Sequence, residues 1–302
     1  MRRAALMLAL CCAALSARAA PAHHDTAQGF RFHIVTGDDS AQTRHIADDL
    51  YQRLASLAAS FRTELAQRRR LVYIAIGPAA LRDCVRRQDA DVRDSVIISA
   101  FTASQVVQAV AAGARRDSAP AITAVYAEPA PADQLRLIEL LYRRPVKVAA
   151  VVGAETQHLK PLLRAQAAVA IDEMAAGEDI NRVLNRIGPA EVLLAMPDSA
   201  VYNTDTVRNI LLSTYRHKQG VIGFSADMVK AGALATTYSD IEDIDAQVAE
   251  MAHAFASTGE LPAPQFPRYF HTIVNDGVAR SLDLEVSAAA RNFARPAPRQ
   301  AP

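Results

Sequence analysis

The chain has 302 residues, a formal charge of +1 at neutral pH, 51% hydrophobic and 22% charged residues, and no tryptophan. That composition excludes an intrinsically disordered polymer. The near-neutral balance, without basic clusters interleaved with aromatics, excludes a nucleic-acid surface. The length suffices for one large or two medium domains.

Met1-Arg2-Arg3 is a basic start, residues 4–15 are apolar, and Ala17-Arg18-Ala19 is a small-x-small triplet. This order reads as a secretory signal peptide over residues 1–19, too short for a membrane span. Leu8-Ala9-Leu10-Cys11 is a poor lipobox because Leu10 is too bulky before the cysteine, so lipid attachment is not expected. Cleavage removes Arg2, Arg3 and Arg18, turning the formal charge negative, and also removes Cys11 and Cys12. Cys84 is then alone, so the mature fold has no internal disulfide and rests on its core. Cys84 itself lies on a helical stretch and reads as a small buried side chain. The expected location is a periplasm, and no later stretch has the length of a transmembrane helix.

Residues 21–29 are polar, and His23-His24 near that end is not read as a metal site. An alternation follows. Strand 30–36 leads to helix 44–65, where Ile46, Leu50, Leu54, Leu57, Phe61 and Leu65 recur at helical spacing. Arg68–Arg70 complement the dipole at the end of that helix. Next come strand 71–76, helix 79–86, strand 96–99, helix 103–113 and strand 122–127. A second run begins with helix 134–142 and continues through strand 147–152, helix 156–165, strand 167–171 and helix 178–187. The stretch 192–240 then reads strand, Pro197-Asp198-Ser199, a helix opening at Thr204 or Asp205, Gly220, strand 221–224 and Ser225. Strand 235–238, helix 240–255, strand 269–274 and helix 276–282 complete the series. Repeated strand–helix alternation with short loops predicts parallel sheets with helices on both faces, in two Rossmann-like α/β lobes.

Catalytic patterns are weak. Gly223-Phe224-Ser225-Ala226-Asp227 has half of a nucleophile elbow, but Asp227 stands where the second glycine belongs, so Ser225 reads as a helix cap. Asp38/Asp39 and Asp172/Glu173 are neighbours on one loop rather than pairs facing across a cleft. The eight histidines show no metal-ligand spacing, and Gly77-Pro78 lacks the further glycines of a pyrophosphate loop. Neither an enzyme, a metal nor a cofactor is expected.

Binding fits better. In open α/β sheets ligands sit beyond the carboxyl ends of the strands. The residues placed there are Thr36, Asp38, Gly77, Pro78, Ser99, Phe101, Thr102, Asp198, Ser199, Tyr202, Ser225 and Tyr238, with Phe101 and Tyr202 able to cover the faces of a small molecule. Asp198, Ser199 and Thr102 are equally suited to capping the helices that follow them, and the free N–H groups of those helices suit a carboxylate.

At residues 194–202 (LAMPDSAVY), 221–234 (VIGFSADMVKAGAL), Tyr238-Ser239-Asp240 and 274–282 (VNDGVARSL) the chain resembles the extracytoplasmic substrate-binding proteins of ABC transporters, of the tryptophan and tyrosine type. Residues 76–80 (IGPAA) are similar to the first-lobe loop of that family, and the resemblance runs from about Phe30 to Leu284. It implies a type I periplasmic-binding fold, with lobe one over 28–120 plus 238–260, lobe two over 121–237 plus 261–290, and a disordered tail at 291–302. The expected crossovers fall near Pro120, Thr237 and Pro262. The implied function is capture of a small, amino-acid-like organic molecule by a monomer, for delivery to an ABC permease with a cytoplasmic ATPase. The alternative is a ligand-sensing partner of a membrane signalling protein.

Overall fold

The computed structural model describes residues 31–60, 71–86, 95–114, 120–166 and 169–298. The expected signal peptide, His23, His24 and Arg68–Arg70 lie outside the described residues. Lobe one is built from β1 (Arg31–Thr36), α1 (Ala41–Ser60), β2 (Leu71–Ile76), α2 (Gly77–Arg86), β3 (Val96–Thr102), α3 (Ser104–Gly113) and β4 (Ala121–Tyr126). Its four strands lie side by side in chain order and all run parallel. Such strands are buried on both faces, so each must be apolar at nearly every position; β2, LVYIAI, has five of six residues buried.

The two faces carry different helices. Ile46, Leu50 and Leu54 of α1 pack with Phe32, Ile34, Val72, Ile74 and Ile98 on one side. Ala80, Leu81 and Cys84 of α2, with Val107 of α3, pack with Val35, Tyr73, Ala75 and Ile97 on the other. Stepping one way along a parallel sheet with crossovers of one hand keeps every helix on one face. The connection through α1 therefore has the opposite hand to the two after it, and about 98% of such connections are right-handed. Consequently the chain leaves β1 and β2 toward opposite faces.

Lobe two contains α4 (Pro131–Tyr142), β5 (Val148–Val152), α5 (Lys160–Gln166), β6 (Val169–Glu173), α6 (Ile180–Arg186), β7 (Val192–Leu194), α7 (Val207–Arg216), β8 (Gly220–Ile222), α8 (Ala226–Ala231) and β9 (Ala235–Tyr238). The chain then returns to lobe one as α9 (Ile241–Thr258) and ends in lobe two with β10 (His271–Val274), α10 (Asp276–Ser281) and α11 (Ala288–Arg291). The six strands are ordered β10-β9-β8-β7-β5-β6. Order reverses between β5 and β7, so the loops after those two strands lie at a topological switch point. Among the described residues no helix is long and apolar enough to cross a membrane.

Three expectations change. β4 hydrogen-bonds to β3, so residues 121–126 complete lobe one and the first crossover follows Tyr126 rather than Pro120. β10 enters its sheet antiparallel to β9, because it returns from the long excursion of α9 to the open edge. The stretch 291–298 is ordered: Phe270 and Arg295 form an antiparallel bridge, and Ala297 N donates to Asp243 Oδ1 at 3.0 Å.

α9 starts at a capping box between Asp240 and Asp243 and stops at Gly259, whose φ of 77° suits glycine. Its Ile244, Val248, Met251 and Phe255 enter the core of lobe one. Asp245 is fully buried on the same helix. Its oxygens accept no hydrogen bond among the described residues; burial first, then the charge of Asp49 on α1, push its carboxyl up to about 9. A raised carboxyl contributes its full stability below the unfolded value and loses it as pH rises toward the folded one. Asp245→Asn should therefore stabilise the fold by about 1–3 kcal/mol near neutral pH. Urea melts should show a larger advantage at pH 8 than at pH 5; an advantage independent of pH would dismiss the buried neutral acid.

Candidate functional site

The carboxyl ends of the two sheets face each other, and they touch at a hydrogen bond between lobes. Ser104, the first residue of α3, places its Oγ 3.0 Å from His158 Nε2, which follows β5 in lobe two. His158 Nδ1 lies 3.1 Å from the Glu155 carbonyl oxygen. Only a protonated Nδ1 can donate there, so Nε2 is the acceptor and the Ser104 hydroxyl donates. Behind Ser104 stands Glu128, buried in the crossover after β4, with both carboxylate oxygens 3.0 and 3.1 Å from Ser104 N. Burial raises the Glu128 carboxyl, while the Ser104 bonds pull it back.

β3 ends in a distortion. Its register with β4 shifts between Ser99 and Thr102, and Phe101 has φ of 54°. A non-glycine residue in that region costs about 1–3 kcal/mol and persists only where its surroundings impose it. Bulges of this kind re-aim side chains beside binding sites; Phe101 is half-buried at the edge of the lobe-one core. Thr102 is buried, and its Oγ1 donates to the Ala100 carbonyl at 3.2 Å. Ser99 is fully buried and its Oγ has no partner among the described residues. Thr36 ends β1, opposite Ile76. Asp38 is exposed, and its Oδ1 accepts from Ser40 N at 2.9 Å; that backbone bond, followed by the Thr43 and Ser40 side chains, holds its carboxyl below the usual value. Gly77, with φ of 82°, turns directly into α2. Pro78 follows in the first turn, where a missing N–H costs nothing.

In lobe two, Asp198 is buried and ties the switch point together. Its Oδ2 accepts from Gly153 N at 3.0 Å and Thr156 Oγ1 at 2.9 Å, and its Oδ1 accepts from Ala200 N at 3.1 Å. Gly153 is required there, since a Cβ would stand 2.6 Å from the carboxylate oxygens. Ser199 gives its N–H and hydroxyl to Glu155, at 3.0 and 2.8 Å. Ser225 caps α8 through Met228 N at 3.3 Å. Tyr202 sets its ring edge-on to Phe224 at 5.7 Å, and its buried hydroxyl has no partner among the described residues; burial, then Asp198, raise its pKa. Tyr238 closes β9 beside His271. The twelve sequence candidates thus divide. Asp198, Ser199, Thr102 and Ser225 are engaged within the protein, whereas Ser99 and Tyr202 keep unmatched polar atoms. Ser104, Glu128, Glu155 and His158 were not anticipated, and their wide sequence spacing offers no motif that could have exposed them.

A cavity of about 350 Å3 lies elsewhere, against β6, lined by Lys147, Ala149, Ala170, Asp172, Arg186 and Pro189 among others. Arg186 Nε is bonded to Asp172 at 2.9 Å, which leaves little polarity there to orient a ligand.

Neither a family model nor a curated protein matches this chain. Solved structures do. A ligand-free, open substrate-binding protein with adhesive properties from Clostridium difficile has a TM-score of 0.56 at 12% identity, covering 86% of this chain and 97% of that one. An ABC domain in complex with L-Trp from Streptococcus pneumonia has a TM-score of 0.52 at 13% identity, covering 87% and 97%. A conserved domain protein from Vibrio cholerae has a TM-score of 0.50 at 17% identity, covering 82% and 94%. At these identities the likeness is one of fold. Two α/β lobes joined by three crossings are the type I periplasmic-binding clam-shell.

The Ser104–His158 bond makes the contact between the lobes sensitive to protons. Burial lowers the His158 pKa from its ordinary 6.5, against the raising effect of the Glu155 carbonyl. The contact is then fully supported above that value and loses support as pH falls below it, because the separated lobes take up the proton first. Small-angle scattering should show a larger radius of gyration at pH 5 than at pH 8. The His158→Phe variant, unable to accept the bond, should be expanded at both; an unchanged radius throughout would remove the latch.

Proposed function

We propose that this protein is an extracytoplasmic solute receptor that captures a small organic molecule between its lobes and presents it to an ABC permease with a cytoplasmic ATPase. The observation that supports this reading is the meeting of two sets of strand ends, one from each lobe, at the Ser104–His158 bond. A solute touching both walls favours the closed arrangement by its differential affinity for it. In this reading the half-buried Phe101, at the bulged end of β3, would supply an apolar face for the solute. Two of the similar structures carry names of binding or transport proteins, one holding L-Trp and one open and empty; an amino-acid-like solute is therefore the first class to test. The signal peptide expected over residues 1–19 would direct export to the periplasm, where a single-chain monomer suffices for the task.

Catalysis is the weaker account. Ser104 and His158 have the donor–acceptor relation of a nucleophile and base, yet Ser104 is fully buried between the lobes. Ser225 is a helix cap. A thermal-shift screen of amino acids, nucleosides and small acids, followed by scattering on any hit, tests the receptor. A true solute raises the melting midpoint by roughly 5 °C at a hundredfold excess over Kd and shrinks the radius of gyration. A hit that stabilises the protein without altering its dimensions overturns the closure mechanism.

A further inference from the structure

At the start of α9, three side chains of types that can ligate a metal converge. Asp240 caps α9, Asp243 lies three residues on, and His271 opens β10. The pairing of His271 with Tyr238 brings its ring beside the helix start. His271 Nε2 lies 3.4 Å from Asp240 Oδ2 and 3.3 Å from Asp243 Oδ2. Both distances exceed the ~2.7–3.2 Å of an N–H···O bond, so the ring nitrogen faces two oxygens at nearly equal range without a good bond to either. Bonds of about 2.0–2.1 Å place adjacent ligands of a tetrahedral zinc roughly 3.3–3.4 Å apart, the separations seen here.

The remaining oxygens are fixed from outside. Asp240 Oδ1 accepts from Asp243 N at 2.9 Å, and Asp243 Oδ1 accepts from Ala297 N at 3.0 Å. Asp243 Oδ2 also receives a long 3.4 Å contact from Asp240 N. Backbone donors on the distal oxygens orient ligands in the manner of a metal's outer shell. Asp243 is buried, His271 is half-buried and Asp240 is exposed, so one side stays open to water.

We propose that Asp240, Asp243 and His271 form a zinc site at the hinge, with Asp240 Oδ2, Asp243 Oδ2 and His271 Nε2 as ligands and water as the fourth. The imidazole selects a borderline transition-metal ion over magnesium or calcium. Because α9 packs in lobe one and β10 pairs in lobe two, the ion links the second crossing to the strand that follows the third. It restrains the hinge without entering the crevice, so the site stands whether or not the solute-receptor reading holds.

The test uses untagged full chain carrying His23→Ala and His24→Ala, so that zinc taken up near the amino terminus does not contribute. Zinc chloride should bind one ion per chain by calorimetry and raise the melting midpoint by roughly 5 °C at a hundredfold excess over Kd, whereas magnesium chloride should not. Asp240→Asn keeps a good helix cap and His271→Gln keeps a polar side chain. Each should melt near the parent temperature without metal and bind zinc tenfold or more weakly. Absence of zinc uptake, uptake unchanged in both variants, or an equal shift from magnesium would each overturn the site; an ion pair between His271 and the two carboxylates would then be its whole content.

Discussion

α9 must satisfy two lobes at once, and the molecule is arranged around that constraint. Its apolar stripe, ending in Phe255, completes the lobe-one core, yet the strands on either side of it in sequence, β9 and β10, pair with each other in lobe two. The chain therefore crosses between lobes just before and just after the helix. The second and third crossings are tied where they meet, by Ser239 Oγ donating to the Tyr269 carbonyl at 2.6 Å. The first crossing runs past them: Gln265 of the third adds beside β4, donating to Ala124 O at 2.8 Å while its carbonyl accepts from Tyr126 N at 2.9 Å. Three crossings of chain thus run close together, and the Ser104–His158 contact lies against the first of them, since Glu128 of that crossing holds Ser104 N.

The loops at the strand ends differ in how much of their polarity is already committed. Asp38 serves the start of α1, Glu128 the start of α3, Asp198 and Glu155 the loops after β5 and β7, and Ser225 the start of α8. Backbone N–H groups offered to an anion at these places are thus met from within the protein. The start of α2 is built differently. Gly77 and Pro78 give it no side-chain acceptor of their own, and Gly37 comes so close that a Cβ would stand 2.8 Å from that of Ala79. Loops whose polar groups are satisfied from within are held rigid, so little further ordering would be needed at them.

How much of this was legible in the sequence depended on whether the signal was local. Apolar runs such as LVYIAI identify buried parallel strands because no other environment accepts them, and Ser225 was identifiable as a cap from its place after Gly223-Phe224. The placement of β4 was not legible. Its pattern is the same on either side of a crossover, and only its ladder to β3 assigns it to lobe one. The hand of the α1 connection, the return of β10 antiparallel and the bridge from Phe270 to Arg295 are likewise set by packing at a distance.

The same distinction explains why the polar contacts at Ser104 and at His271 escaped a reading by motif. Ser104, Glu128 and His158 are 24 and 54 residues apart along their bonds, and no periodicity links a helix start, a crossover and a turn after β5. Asp240 and Asp243 form an ordinary capping box to any local reading. Their second oxygens acquire a partner only because the antiparallel β9–β10 register sets His271 opposite Tyr238. The polar clusters that no motif exposes therefore form where sequence-distant segments are forced together, at the start of α9 and between α3 and the turn after β5.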